Sequence, residues 1–315
     1  MLNSKSRKQK SLVAAAAITM LFSAAGQSEV VFQDSFESGG LDAKSGGSFW
    51  RSAVSTRVSA EKASDGDYAA KIQFRGNSNL RRDSNGYMKF HLGQELPDVW
   101  MRYDLFVPDN YEQRIPSDSR HENKGFVTLW GGHESNPFSS SALRSGVSFW
   151  PLAAKQSSAE SAGDSYATAN YSSNGKTMPH IGHDQPATVI DADESNGDAG
   201  KWMSVYINVK AADAGAKNGR IAVWRCAAPC GFSSLDESNA LFVASDLGNS
   251  HSNVSGFDRG YLFGWAATGF DENTELYVDN VVIADSELDL VDGDKVAIDT
   301  AAPSTPALRF GEWKN

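Results

Sequence analysis

Trp202-Met203-Ser204-Val205-Tyr206-Ile207-Asn208-Val209, then Lys217-Asn218-Gly219, then Arg220-Ile221-Ala222-Val223-Trp224-Arg225, is the stretch on which the reading of the fold turns. The first run alternates apolar and polar or small residues, the pattern that places successive side chains on opposite faces of a strand. A helix would instead group its apolar residues three and four apart. Asn-Gly suits the positive φ angles of a tight turn, so the two runs read as a β-hairpin with its turn at Lys217-Asn218-Gly219.

The same texture continues in both directions. Val30-Val31-Phe32, Ala69 to Phe74, Tyr87 to Leu92 and Val99 to Val107 are strand-like, the last stopped by Pro108. Phe126 to Trp130 ends at Gly131-Gly132, and Gly146 to Trp150 ends at Pro151. Tyr166 to Tyr171, Leu241 to Ala244, Tyr261 to Trp265 and Leu276 to Ile283 complete the set. That is roughly twelve strands without a long amphipathic helix, a spacing that predicts an all-β sandwich or barrel. Loops at 109–122 and 172–199 are rich in Ser, Asn, Asp and Gly, and loops of that length in a compact domain are often functional.

The ends differ from the body. Lys5, Arg7, Lys8 and Lys10 precede an apolar Leu12–Phe22 stretch, and Ser23-Ala24-Ala25 supplies small residues at a cleavage point. Residues 1–25 are therefore expected to be a signal peptide, with secretion or periplasmic residence as the consequence. The apolar stretch is too short to span a bilayer, so no membrane insertion is expected after cleavage. Residues 26–285 form the predicted single domain, and 286–315, acidic and then Pro-containing, reads as a tail.

The chain carries a formal charge of −10, and loss of residues 1–25 removes four positive charges and no acidic ones, giving −14. Such a field opposes nucleic acid and anionic membrane, which are excluded as partners. It also opposes an anionic polysaccharide at long range, so a cleft for one must be locally basic. The two cysteines, Cys226 and Cys230, are expected to pair as a disulfide in an oxidising compartment, fixing a turn after a strand.

Asp34-Ser35-Phe36-Glu37-Ser38-Gly39-Gly40-Leu41 near the start and Glu275-Leu276-Tyr277-Val278-Asp279-Asn280-Val281-Val282-Ile283 near the end resemble the first and last strands of concanavalin A-like jelly rolls. Between them stand Trp100 to Pro108, Asn123 to Trp130, Trp202 with Tyr206, Asn218 to Trp224 and Gly264-Trp265. Their order is similar to that of the heparin-lyase-I-like polysaccharide lyases, over about residues 30–285. The resemblance implies a concanavalin A-like jelly-roll β-sandwich and β-elimination on a uronate-containing polysaccharide. The superfamily also holds lectins and binding modules, so a non-catalytic glycan-binding or adhesion protein is the alternative.

Elimination needs a base for the proton beside the uronate carboxylate and a group that neutralises that carboxylate as charge develops. The resemblance implies a His near a strand end with a Tyr farther on, and here His133, Tyr166 and Tyr171 stand in those places. Arg75, Asn123 and Lys124 are the candidate carboxylate binders. Sugar rings stack on aromatic faces; most tryptophans of a sandwich are core, and Trp130 and Trp150, each ending a strand beside a loop, are the candidates for the open face.

Glu287-Leu288-Asp289-Leu290-Val291-Asp292 approaches the paired-carboxylate signature of family 16 glycoside hydrolases, but it follows the last strand and ends in Asp, so an acidic tail is the better reading. Glu37 and Asp279, near the paired terminal strands, are candidate ligands for a structural Ca²⁺. His180, His183 and Asp184 lie on a predicted loop, without preset geometry for zinc. No phosphate loop, nucleophile elbow or dinucleotide fingerprint is present, and no organic cofactor is expected.

Overall fold

A computed structural model describes residues 30–42, 44–76, 84–111, 123–132, 143–151, 165–172, 188–191, 197–228, 230, 232, 234–248, 254–266 and 270–287. For 123–124, 146–151 and 165–172 the description is of backbone pairing.

Two antiparallel sheets of eight strands each face one another. In the first the order is β14 (Phe242–Gly248), β13 (Lys217–Ala227), β12 (Lys201–Lys210), β7 (Asp98–Val107), β16 (Thr274–Ala284), β5 (Ala69–Phe74) and β4 (Thr56–Ser59). The opening strand β1 (Val30–Asp34) also pairs with β16, so the two ends of the domain meet in one ladder. The second sheet runs β11 (Thr188–Ile190), β10 (Ser165–Ser172), β9 (Leu143–Pro151), β8 (Asn123–Gly131), β15 (Phe257–Ala266), β6 (Ser84–Leu96), β3 (Ser48–Val54) and β2 (Lys44–Ser45). Sequential hairpins alternate with pairings between strands distant in sequence, such as β12 with β7, β7 with β16 and β8 with β15, as in a jelly roll.

Alternation explains which side chains fill the interior. Val99, Met101, Tyr103, Leu105 and Val107 of β7 and Met203, Val205, Ile207 and Val209 of β12 point between the sheets. Met88, Phe90 and Leu92 of β6, Val127 and Leu129 of β8, and Leu262 of β15 meet them. Tyr103 is fully buried, and its hydroxyl donates across the sandwich to the Phe126 carbonyl at 3.1 Å. Burial pushes that phenol well above its ordinary pKa, so it remains a neutral donor tying one sheet to the other.

The outer face of the first sheet is covered as well. Tyr206, Ala222 and Trp224 pack under Leu235 and Phe232 of the segment that follows β13. Trp100 stacks on Trp224 at 6.1 Å, and the Trp224 indole donates to the Asp236 carbonyl at 2.9 Å. The Cys226–Cys230 disulfide forms as expected, with Cα atoms 6.1 Å apart, at the root of this covering segment. Glu287 accepts the Leu235 N–H at 2.9 Å, which fastens the segment from the C-terminal side and gives this carboxylate a structural part.

The predicted hairpin exists, but its turn falls elsewhere. Lys210 pairs with Arg220, Asn218 and Gly219 already belong to β13, and the chain reverses over 211–216. Asn218 serves that turn from the strand: its amide accepts from Asp213 N at 2.9 Å and donates to the Asp213 carboxylate at 2.8 Å. Four strands beyond the dozen also appear, β2, β3, β4 and β11.

Candidate functional site

Within the second sheet the residues that do not face the core line its outer face, where Thr128, Trp130, Arg144, Arg259 and Tyr261 are buried, Lys89 and His91 are half-buried, and Arg51 and Phe49 are exposed. Gly260 fixes the parity of β15: a Cβ built there would lie 2.4 Å from Phe90 Cζ and 2.8 Å from Leu129 Cδ2, both core atoms. Its neighbours Arg259 and Tyr261 therefore stand on the other side of the sheet.

Register then assembles the site. Arg259 pairs with Trp130 of β8 on one side and with His91 of β6 on the other. Trp130 pairs with Arg144 of β9, and His91 with Phe49 of β3. One position along, Thr128, Tyr261, Lys89 and Ser52 form a second row on β8, β15, β6 and β3. Two adjacent rows of side chains thus cross the strands.

A pocket of about 80 Å³ opens where these rows meet, lined by Arg51, Ser52, Lys89, Phe90, Trp130 and Arg259. Trp130 and Phe90 supply its aromatic lining. Behind Trp130, Tyr261 lies 5.8 Å from its ring and 6.2 Å from Tyr87, and the Lys89 ammonium sits 4.9 Å over the Tyr87 ring. Asp258, itself buried, grips the Arg259 guanidinium through two hydrogen bonds, that from Nε being 2.8 Å and the second coming from Nη2. A planar fork held this way keeps one orientation.

The electrostatics are local and cationic. Burial, and then the nearby Arg51 charge, pull the Lys89 pKa below that of a free lysine. Both causes disfavour the ammonium, which is how a lysine becomes available as a base. An acidic protein has concentrated Arg51, Arg144 and Arg259 on one face, with Asp258 committed to holding Arg259.

Of the residues singled out from sequence, the site contains Trp130, which is buried against Tyr261 and lines the pocket. Tyr166 and Tyr171 lie on β10, paired with Trp150 and Ser145 of β9, and Asn123 on β8 pairs with Phe149 and Ala266. Lys124 follows on the same strand. For these residues and Trp150 only the backbone is described. Arg75 is exposed at the end of β5, in the first sheet, and belongs to no part of the pocket. His133, His180, His183 and Asp184 lie outside the described residues.

Glu37 and Asp279 converge on one loop. Asp67 N and Tyr68 N donate to Glu37 at 3.0–3.1 Å, while Ser64 N and Asp65 N donate to Asp279 at 2.8 and 3.3 Å. The carboxylates here face N–H groups, whose positive ends a cation would have to displace. Among the described residues no set of three or more His, Cys, Asp or Glu side chains gathers as metal ligands. The arrangement does not fit a Ca²⁺ ligand shell, and no chemistry is derived through one.

The side chains that sequence reasoning missed are Arg51, Lys89, His91 and Arg259. Lys89 and His91 stand at alternate positions of a strand that was read correctly, so the signal for the outer face was present there. Arg51 and Phe49 lie on β3, where the ladder to β6 slips between Trp50 and Ser52 and breaks the two-residue period.

No protein-family model matches this chain, and no curated protein matches it. Solved structures with a similar chain trace include alginate lyase vAL-1 from a Chlorella virus, at 12% identity and a TM-score of 0.49 over 81% of this chain and 99% of that one. Alginate lyase Aly36B gives 10% identity and a TM-score of 0.48 over 80% and 95%. The binding domain of botulinum neurotoxin serotype D/C gives 10% and 0.47 over 82% and 49%.

Proposed function

We propose that this chain is an exported polysaccharide lyase that binds a uronate-containing glycan at the pocket on the outer face of the second sheet and cleaves it by β-elimination. The observation that carries the proposal is the pocket in which Lys89, its ammonium disfavoured by burial and by Arg51, stands beside the clamped Arg259 and the aromatic wall of Trp130. Export is supported by the N-terminal sequence pattern and by the disulfide.

In this reading Arg259, with Arg51, pairs with the uronate carboxylate and stabilises the charge that builds on it when the adjacent carbon is deprotonated. The neutral amine of Lys89 takes the C5 proton. The C5–H electron pair becomes the C4–C5 double bond, the C4–O bond breaks, and the leaving oxygen takes a proton from the ammonium so formed. Lys89 thus ends the cycle neutral, as it began.

The test is to incubate the mature protein with a panel of uronate polysaccharides and follow the ultraviolet absorbance of the unsaturated sugar. Wild type is expected to give a rise that Lys89→Ala removes by about a hundredfold or more, within the usual span of general acid–base catalysis. Arg259→Ala is expected to slow it comparably. No rise on any substrate, with glycan binding retained, would replace the lyase reading by the non-catalytic one.

A further inference from the structure

At one end of the charged row the sheet carries an aromatic platform that the chemistry above does not use. Among the described residues Phe49 is the large hydrophobic side chain left exposed, at 37% of its surface. It is not an isolated edge residue. Its ring stacks on that of His91, 5.4 Å away and within 17° of parallel.

The local backbone builds this pair. Gly93, at φ 75°, lies where the ladder of β6 to β15 slips, and its N–H donates to His91 Nδ1 at 2.9 Å. Gly93 also lies against the β2–β3 hairpin, where a Cβ would lie 2.7 Å from Gly47 C and 2.9 Å from Ser48 N. Because Nδ1 accepts, the proton of a neutral His91 resides on Nε2, and the ring is a donor rather than a base. Backbone packing holds the His91 ring where it stacks on Phe49, while Phe49 stays open to solvent.

Position gives the platform its meaning. Phe49 and His91 continue the row that runs through Arg259 and Trp130 to Arg144. Phe49 lies opposite His91, and Lys89 stands two residues from His91 on the same strand, a diagonal of about 7–8 Å and so the reach of a neighbouring pyranose unit. We infer that Phe49, backed by the His91 ring, forms a sugar-binding subsite for an acidic glycan, in which Phe49 packs on the apolar face of a pyranose. The glycan then has one uronate in the Lys89 pocket and a neighbouring unit on the platform. Oligosaccharides are selected over single sugars because only they reach both. The inference rests on the glycan-binding reading of the same face.

The experiment measures binding of uronate oligosaccharides of increasing length to full-length mature protein by calorimetry, for wild type, Phe49→Ala, Phe49→Trp and Arg259→Ala. Wild-type affinity is expected to step up once the oligosaccharide spans pocket and platform. Phe49→Ala is expected to remove that step, about tenfold, and to leave the shortest ligands unchanged, while Phe49→Trp retains it. An unchanged length dependence in Phe49→Ala, with binding lost in Arg259→Ala, overturns the platform and leaves the pocket standing. Failure of wild type to bind any uronate oligosaccharide overturns both. Phe49 is exposed, so its loss does not threaten folding.

Discussion

At the residue scale two ionisable groups are held away from their ordinary behaviour for different reasons. Lys89 is destabilised as a cation by burial and by Arg51. Replacing Arg51 with Gln removes the second cause, so the ascending, acid-side limb of the elimination rate, where Lys89 loses its proton, is expected to move to higher pH, whatever the change in substrate affinity. A pH–rate profile of the two proteins checks this, and an unmoved limb would detach Lys89 from proton transfer. Asp279 sits on the opposite sheet, paired with Asp104 across β16 and β7. Burial pushes its pKa up to about 7, against the pull of N–H donors from Ser64, Asn280 and Asp65, and the Asp104 charge adds to the rise. The folded state therefore holds a proton that the unfolded chain releases near pH 4. Stability is fully present below that point, falls as pH rises toward about 7, and stays low above it. The loss amounts to at most about 4 kcal/mol for a shift of this size. Asp279→Asn, which cannot ionise, is expected to flatten this slope in denaturant titrations run from pH 4 to pH 8.

At the scale of elements, strands whose faces are cleanly divided were legible and interrupted ones were not. The alternation of β7, β12 and β16 predicted their extent to within two residues because one face of each fills the inter-sheet core. β3 was invisible because its irregular pairing with β6 puts Trp50 in contact with core Phe32 and Phe90, next to outward-facing Phe49 and Arg51. The groove inherited that blindness, since two of the six residues lining its pocket, Arg51 and Ser52, come from β3. The Asn-Gly turn was misplaced for a related reason: Asn218 stabilises the turn through its side chain while its backbone is already in the ladder. Glycines show how tightly these elements approach. Gly260→Ala would drive a methyl into Phe90, Leu129 and the Thr128 carbonyl. Overpacking of this kind is expected to cost about 1–3 kcal/mol, read as a lower denaturation midpoint with unchanged slope. The segment behind β13 offers a second measurement. Reducing Cys226–Cys230 opens a short loop, for which chain entropy gives about 2 kcal/mol. Because Phe232 and Leu235 cover Tyr206 and Trp224, reduction is expected to red-shift the tryptophan emission before global unfolding.

At the scale of the molecule, the charge of the whole chain and the charge of the groove oppose each other. The chain without its first 25 residues carries −14, whereas Arg51, Arg144 and Arg259 gather on one face. The two fields act over different distances. Contacts within the groove operate at hydrogen-bond range, well inside the Debye length of about 10 Å at 0.1 M salt, while the repulsion of the acidic surface acts beyond it. An approaching polyanion meets the repulsion first and the cations last. Salt should therefore relieve the barrier to encounter more than it weakens the bound state. Association of a uronate oligosaccharide, followed by stopped-flow fluorescence, is expected to quicken severalfold as salt rises from low to physiological concentration. Dissociation should change less, because Arg259 is buried and clamped by Asp258. Basic binding sites on basic proteins behave oppositely, with association slowing as salt screens attraction. A decline in the association rate with salt would mean that the groove's own potential reaches past the acidic surface and captures the glycan at a distance.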